Sequence, residues 1–208
     1  KCTHNFIVTA LVPKGPWSDP IPLNKMGFDP SLFHDPDGTK WLVNMLFDYR
    51  LDHKRVGGVG VQQYDPETKK LVGPVYNVFK GSDKGTTEGP NIFYHDGWYY
   101  LVTAEGGTEF KHCVTMCRSE KLTGPYEISP YVPVLTSFGK DVQLKRAGHG
   151  QIIQGKDGNW YMAHLCSRSL GDCRITGRET AIQNMLYTDD GWFKLSATDT
   201  ASPEDFFK

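Results

Sequence analysis

The sequence lacks any apolar run near the roughly 18 residues that a membrane-spanning helix requires. It also lacks an excess of charge of either sign, since 23 Lys and Arg residues stand against 24 Asp and Glu residues. These absences argue against a membrane protein and against a nucleic-acid partner, which requires clustered positive charge. No basic and apolar leader opens the chain at Lys1. We therefore expect that any such segment lay upstream or was removed, which leaves the cell compartment open.

Turn-forming and aromatic residues are abundant instead: 22 glycines, 13 prolines and 12% aromatic residues. This composition is typical of ordered β structure, because disordered chains contain few aromatic residues. The length of 208 residues suits one domain, so residues 1–208 are interpreted as a single domain. The five cysteines cannot all pair within one chain. Cys113 and Cys117 lie on one predicted strand, too far apart for a disulfide, whereas Cys166 and Cys173 flank a loop and could pair. Free and mostly buried thiols are the favoured interpretation.

An internal repeat is the main signal in the sequence. Asp-Gly turns followed by aromatic residues occur at Asp37-Gly38, Asp96-Gly97 and Asp157-Gly158, with spacings of 59 and 61 residues, and a fourth follows at Asp190-Gly191. Asp-Gly between alternating apolar residues is the strongest short signal for a β-hairpin. A second marker, Gly-Pro ahead of another strand, recurs at Gly15-Pro16, Gly73-Pro74 and Gly124-Pro125.

A period near 60 residues with about four strands per period indicates the blades of a β-propeller. The fold class is therefore all-β, with about three and a half blades in 208 residues. The chain is expected to start within a blade, so that a missing segment or a second chain would complete the ring. A β-sandwich with coincidentally spaced hairpins is the alternative, but its strands recur every 8–12 residues without long-range register.

Three ionisable residues stand eight residues before the three hairpin aspartates: Asp29, Glu88 and His149. Because the first strand of a blade lines the central channel, these side chains are predicted to converge on one axis. The alternative is that each is a solvated turn residue at the start of its strand. Two carboxylates that face each other across a cleft are the usual equipment for cleaving a glycosidic bond. One of them must stay protonated near neutral pH, which burial or a like charge achieves by raising its pKa.

Five motifs, in order along the chain, carry a resemblance to a known family. They are Gly27-Phe28-Asp29-Pro30-Ser31-Leu32-Phe33-His34-Asp35, Thr87-Glu88-Gly89-Pro90, Leu101-Val102-Thr103-Ala104-Glu105-Gly106-Gly107-Thr108, Gly148-His149-Gly150 and Gly177-Arg178-Glu179-Thr180. From about His4 to Leu195 the chain resembles glycoside hydrolase family 43, and most closely its β-xylosidase and α-L-arabinofuranosidase branch. The resemblance implies a five-bladed propeller that hydrolyses with inversion. It also implies a general-base Asp, a general-acid Glu, and a second Asp that orients the acid and tunes its pKa.

The resemblance implies roles for individual residues. Glu88 is similar to the general acid and Asp29 to the orienting Asp. His149 is similar to a channel histidine that in some members accompanies a cation. The resemblance therefore implies, as the one candidate ion, a structural calcium or sodium ion in the central channel, which His149 would contact through water. For the pocket, Arg178 resembles an arginine that contacts substrate hydroxyls and Phe28 resembles a lining aromatic. Thr108 and Phe47 are expected to be pocket neighbours.

The general base is the departure from the family pattern. No Asn-Pro-x-x-Asp-Pro-like segment precedes Asp29, and Asp19, in Ser18-Asp19-Pro20, resembles nothing catalytic. Asp29 itself could be the base, but its spacing of one repeat from Glu88 matches the orienting Asp and the acid in adjacent blades. The base is therefore expected outside this chain.

The sequence thus predicts the acid-bearing part of an inverting glycosidase that releases terminal xylose or arabinose units from plant polysaccharides. A non-catalytic carbohydrate-binding propeller and a related five-bladed family that retains configuration are the alternatives. Carbohydrate is the expected partner, with no nucleic acid or membrane, and no cofactor is required. The seven histidines are dispersed without the spacing of zinc ligands. The sequence does not rank xylosides over arabinosides.

Overall fold

The computed structural model describes residues 3–53, 55–168, 177–197 and 201–204. Every regular element within these ranges is a β-strand. None of the described residues forms a helix able to cross a bilayer. Two short strands, β1 (Phe6–Ile7) and β2 (Ile21–Pro22), pair as a small sheet ahead of three larger ones.

Blade 1 is a four-stranded antiparallel sheet with its strands in sequence order. It consists of β3 (Ser31–His34), β4 (Lys40–Phe47), β5 (Val56–Asp65) and β6 (Lys70–Phe79). Gly73-Pro74 lies inside the edge strand β6, where a proline costs no ladder hydrogen bond on the open side.

Blades 2 and 3 repeat this arrangement. Blade 2 contains β7 (Glu88–His95), β8 (Trp98–Glu105), β9 (Cys113–Ser119) and β10 (Glu127–Ile128), and β11 (Leu135–Thr136) also pairs with β9. Blade 3 contains β12 (Leu144–Gln154), β13 (Trp160–Arg168), β14 (Glu179–Tyr187) and β15 (Phe193–Leu195). The prediction of an all-β propeller chain with about three and a half blades is confirmed.

The Asp-Gly turns are hairpins, but they differ in length. Asp37-Gly38 and Asp157-Gly158 lie in longer loops, which join His34 to Lys40 and Gln154 to Trp160. Asp96-Gly97 alone forms the two-residue turn of blade 2, with φ of 48° and 83° as a tight hairpin requires. Asp190-Gly191 joins the third and fourth strands of blade 3, so it is not a member of the same repeat.

The core lies between the blades. Leu101 packs with Val43 of blade 1, whereas its neighbours Tyr100 and Val102 pack with blade 3. Successive residues of a strand point to opposite faces, so β8 is buried on both sides and its residues Tyr100, Leu101 and Val102 are apolar without alternation. Cys113 and Cys117 are free and buried in this sheet, as their predicted separation requires. Cys173 lies outside the described residues, and with it the proposed pair to Cys166.

Candidate active site

The starts of the three first strands meet at one place. The backbone N–H of Gly89 donates to Asp29 Oδ2 at 3.0 Å. Gly89 also packs closely against the ring of His149. A Cβ built on Gly89 would lie only 2.5 Å from His149 Nε2. Asp29, Gly89 and His149 line a cleft of about 520 Å³. The structure therefore brings the Asp29, Glu88 and His149 segments together, although they are some 60 residues apart in sequence.

The backbone corrects the register of the repeat by one residue. Asp29, Gly89 and His149 all adopt a left-handed backbone, with φ of 50°, 55° and 49°. Gly89, and not Glu88, is thus the structural equivalent of the other two. Counting back from the turns fails in blade 2 because its hairpin is shorter, whereas the bulge between Glu88 and Asn91 recurs in blade 3 between Gly148 and Gln151. Asp and His occupy the equivalent positions with the same φ, so glycine is needed at position 89 because a Cβ there would meet the ring of His149 at 2.5 Å.

Two polar side chains that sequence reasoning missed link the blades at this end. Ser31 Oγ donates to the carbonyl of Pro90 at 2.8 Å, and Asn91 Nδ2 donates to the carbonyl of Gly150 at 3.2 Å. Each donor stands two residues after the left-handed position of its own blade. Their position in the repeat was the available signal, because Ser31 and Asn91 stand one repeat of 60 residues apart in the sequence, and both line the same cleft.

The surroundings of Glu88 favour its protonated form. Its side chain is half-buried, and this burial raises its pKa above the ordinary value. The nearby charge of Asp29 raises the pKa further, whereas the guanidinium of Arg178 lowers it. Glu88 therefore keeps its proton to a higher pH than a solvated glutamate, which is the property of a proton donor.

The expected pocket residues fall into two groups. Arg178 and Thr108 line a smaller cavity together with the buried Arg146. Phe28 and Phe47 instead pack edge to face with ring centroids 5.4 Å apart, and Arg55 lies 4.8 Å over Phe47. Neither aromatic ring belongs to the lining of the larger cleft. The structure thus places the two aromatics with each other and the two polar residues with each other.

A direct metal site is not formed by the side chains in the described ranges. These residues contain no group of three or more His, Cys, Asp or Glu side chains that could hold a metal ion. Hard cations prefer oxygen ligands, so His149 would reach a calcium or sodium ion only through water.

Comparison with known proteins agrees with these motifs. The sequence matches the family described as Glycosyl hydrolases family 43 over residues 1–193. Xylosidase/arabinosidase 43B of Humicola insolens is 50% identical in an alignment that covers 92% of this chain and 36% of that protein. Beta-xylosidase of Bacillus subtilis is 44% identical in an alignment that covers 92% of this chain and 38% of that protein.

A solved structure gives the same picture. The crystal structure of xylan beta-1,4-xylosidase from Bacillus halodurans superposes with a TM-score of 0.94 at 50% identity. The match covers 97% of this chain and 39% of that one. The chain thus spans somewhat more than a third of the length of these relatives.

Proposed function

Because the chain belongs to glycosyl hydrolase family 43, we propose that it is the acid-bearing part of an inverting glycosidase. The substrates are terminal xylose or arabinose units of plant polysaccharides and oligosaccharides. The observation that carries the proposal is the contact between the Asp29 carboxylate and the backbone N–H that follows Glu88. This contact holds the Asp29 carboxylate, which lines the larger cleft, against the residue that follows Glu88, and the charge of Asp29 raises the pKa of Glu88.

The reaction divides the work between the two carboxyl groups. Glu88 gives its proton to the glycosidic oxygen as the bond between that oxygen and the anomeric carbon breaks. The bonding electron pair remains on the leaving oxygen, which departs as a neutral hydroxyl. The charge of Asp29 raises the pKa of Glu88 and so helps Glu88 to hold the proton until it is needed.

The same displacement also needs a base, which lies on the opposite face of the sugar from Glu88. Inverting enzymes keep their two carboxyl groups roughly 6.5–9.5 Å apart so that a water molecule fits between the base and the sugar. The base removes a proton from that water, whose oxygen attacks the anomeric carbon. We assign the base to a residue outside this sequence, since no other motif of the chain resembles it.

The remaining site residues bind the substrate or support the segment that carries Glu88. We assign to Arg178, which shares the smaller cavity with Thr108, hydrogen bonds to substrate hydroxyls. Phe28 and Phe47 pack on each other outside the lining of the larger cleft, and we assign to them an apolar contact with the sugar. His149 supports the acid segment through Gly89. The reaction requires no cofactor.

Replacing Glu88 tests the proposal in the full-length polypeptide. For Glu88→Ala, hydrolysis of xylobiose, whose leaving group needs a proton, is expected to fall by about 10²- to 10⁴-fold. Hydrolysis of 2,4-dinitrophenyl β-xyloside or α-L-arabinofuranoside, whose leaving group needs none, should fall by no more than about tenfold. Equal losses on both substrates would contradict the assignment. Glu127→Ala is the control, because Glu127 is an exposed glutamate of the same blade.

Two further readouts separate the alternatives. Proton NMR of the first product from a β-xyloside should show the α-anomer, and the β-anomer would instead support a retaining enzyme. Binding of xylobiose by the unmodified polypeptide without any product would support a non-catalytic carbohydrate-binding propeller.

A further inference from the structure

A buried carboxylate lies directly behind the segment that carries Glu88. Glu105 is the last residue of β8 and has no exposed surface. Its neighbour Ala104 pairs with Glu88 across the β7–β8 ladder. The reaction proposed above gives Glu105 no chemical step, although it belongs to a motif that carries the family resemblance.

The carboxylate of Glu105 accepts hydrogen bonds from both ends of one loop. The backbone N–H of Ser82 donates to it at 2.9 Å, and the Ser82 hydroxyl also donates to it. The hydroxyl of Thr87, the residue before Glu88, donates to it at 2.6 Å. Carboxylate hydrogen bonds of this kind are stronger than neutral ones. One side chain thus fixes where the loop from Ser82 to Thr87 begins and ends.

The loop needs such a tie because its backbone is irregular. Thr86 has a φ of 55°, which is rare for a β-branched residue and persists only where the surroundings impose it. The middle of the loop is held to the same strand end, since the N–H of Gly106 donates to the carbonyl of Gly85 at 2.8 Å. A Cβ at Gly81 would lie 2.1 Å from Thr87 Oγ1 and 3.1 Å from Glu105 Oε1, so the loop is packed tightly against the carboxylate.

We propose that Glu105 is a positioning residue for the proton donor: it holds Ser82 and Thr87 so that Glu88 reaches the glycosidic oxygen in the correct place. The inference rests on the proposed role of Glu88 as the acid. A displacement of about 1 Å at a reacting group can lower a rate by about 100-fold. The loss should therefore fall on the step that needs the proton.

Two variants of the full-length polypeptide test this role. Glu105→Leu removes every acceptor at similar volume, and Thr87→Val removes one donor without changing shape. With xylobiose, kcat is expected to fall about 10- to 100-fold for Glu105→Leu and about three- to tenfold for Thr87→Val, with KM nearly unchanged. With the 2,4-dinitrophenyl glycoside, kcat should stay within about threefold. Combined with Glu88→Ala, neither substitution should lower the xylobiose rate further, because no proton donor remains to be positioned.

The control separates positioning from general destabilisation. Thr103→Val removes the buried hydrogen bond between Thr103 of β8 and Thr115 of β9, which does not involve the loop, and should affect both substrates equally and little. Equal losses on the two substrates for Glu105→Leu and Thr87→Val, or losses that add to that of Glu88→Ala, would overturn the inference alone. If Glu105→Leu does not fold, Thr87→Val decides by the same criteria. A Glu88→Ala variant without dependence on the leaving group would instead overturn the proposed function, and this inference with it.

Discussion

The two ends of strand β7 are built from different interactions. At its start, next to Glu88, Gly89 and Asn91 make polar contacts with the neighbouring blades, through Asp29 and the carbonyl of Gly150. At its other end, apolar and aromatic rings fill the junction between blades 2 and 3. Phe93 and the fully buried Phe193 are at its centre, with ring centroids 5.3 Å apart. Further rings surround them: Tyr100, Trp160, Tyr187 and His95.

The difference shows where the strand is stable and where it is reactive. Buried aromatic rings contribute a large apolar area and about 0.5–1.5 kcal/mol per pair beyond it. A single hydrogen bond contributes about 1 kcal/mol net, and left-handed residues such as Asp29 and His149 carry backbone strain. The aromatic end therefore contributes most of the folding stability of the strand. The polar end contributes little stability and instead holds carboxyl groups in place.

The largest expected effect concerns the aromatic end. Phe193→Ala should lower the free energy of unfolding by about 3–5 kcal/mol, because it leaves a cavity among rings that cannot collapse into it. Urea unfolding of the full-length polypeptide measures the loss, and activity per folded molecule should stay within about threefold. Phe138→Ala is the control, since Phe138 is exposed and its loss should cost no more than about 0.5 kcal/mol. A loss below 1 kcal/mol for Phe193→Ala would remove the contrast between the two ends.

The second prediction concerns the polar end, where we expect a large loss of activity and little change in stability. Asp29→Asn should reduce kcat for xylobiose by about 100-fold while changing the free energy of unfolding by no more than about 1 kcal/mol. Without the negative charge of Asp29 the pKa of Glu88 falls, so Glu88 loses its proton at a lower pH. The decline of activity with rising pH should therefore shift to lower pH. Asp35→Asn, at the far end of β3, should leave the pH profile unchanged, and an unshifted profile in Asp29→Asn would contradict the electrostatic role.

The smallest predicted effect is a gain in stability. The folded state raises the pKa of Glu88, so the stability from this group is fully present below its unfolded pKa and is lost as pH rises through the folded value. The side chain of the Glu88→Gln variant does not ionise, so this variant does not lose stability as the pH rises. At pH 7 the variant should be more stable than the unmodified protein by on the order of 0.5 kcal/mol. The difference should disappear near pH 3.5. Glu127→Gln should show no gain at pH 7, and a gain for Glu88→Gln that is equal at both pH values would contradict the linkage.

Much of the architecture was predictable because its signals are local. An Asp-Gly turn such as Asp96-Gly97 is specified by two residues that tolerate positive φ, and repetition of that turn indicated the blades. The convergence of the Asp29, Glu88 and His149 segments followed from the same repeat. The register did not, because the first hairpin loop has two residues in blade 2 and five in blades 1 and 3, and this length depends on where strand pairing ends. The link from Asn91 to Gly150 was missed for the same reason.

The sequence by itself determined the strands, their turns and the family, since propensity, alternation and motif are properties of neighbouring residues. Only the tertiary structure decided the chemistry of Glu88. Its pKa depends on burial and on the charge of Asp29, which lies in another blade. The support from Glu105 likewise depends on packing between residues far apart in the chain. Electrostatic and steric effects act across space, and folding alone sets those distances.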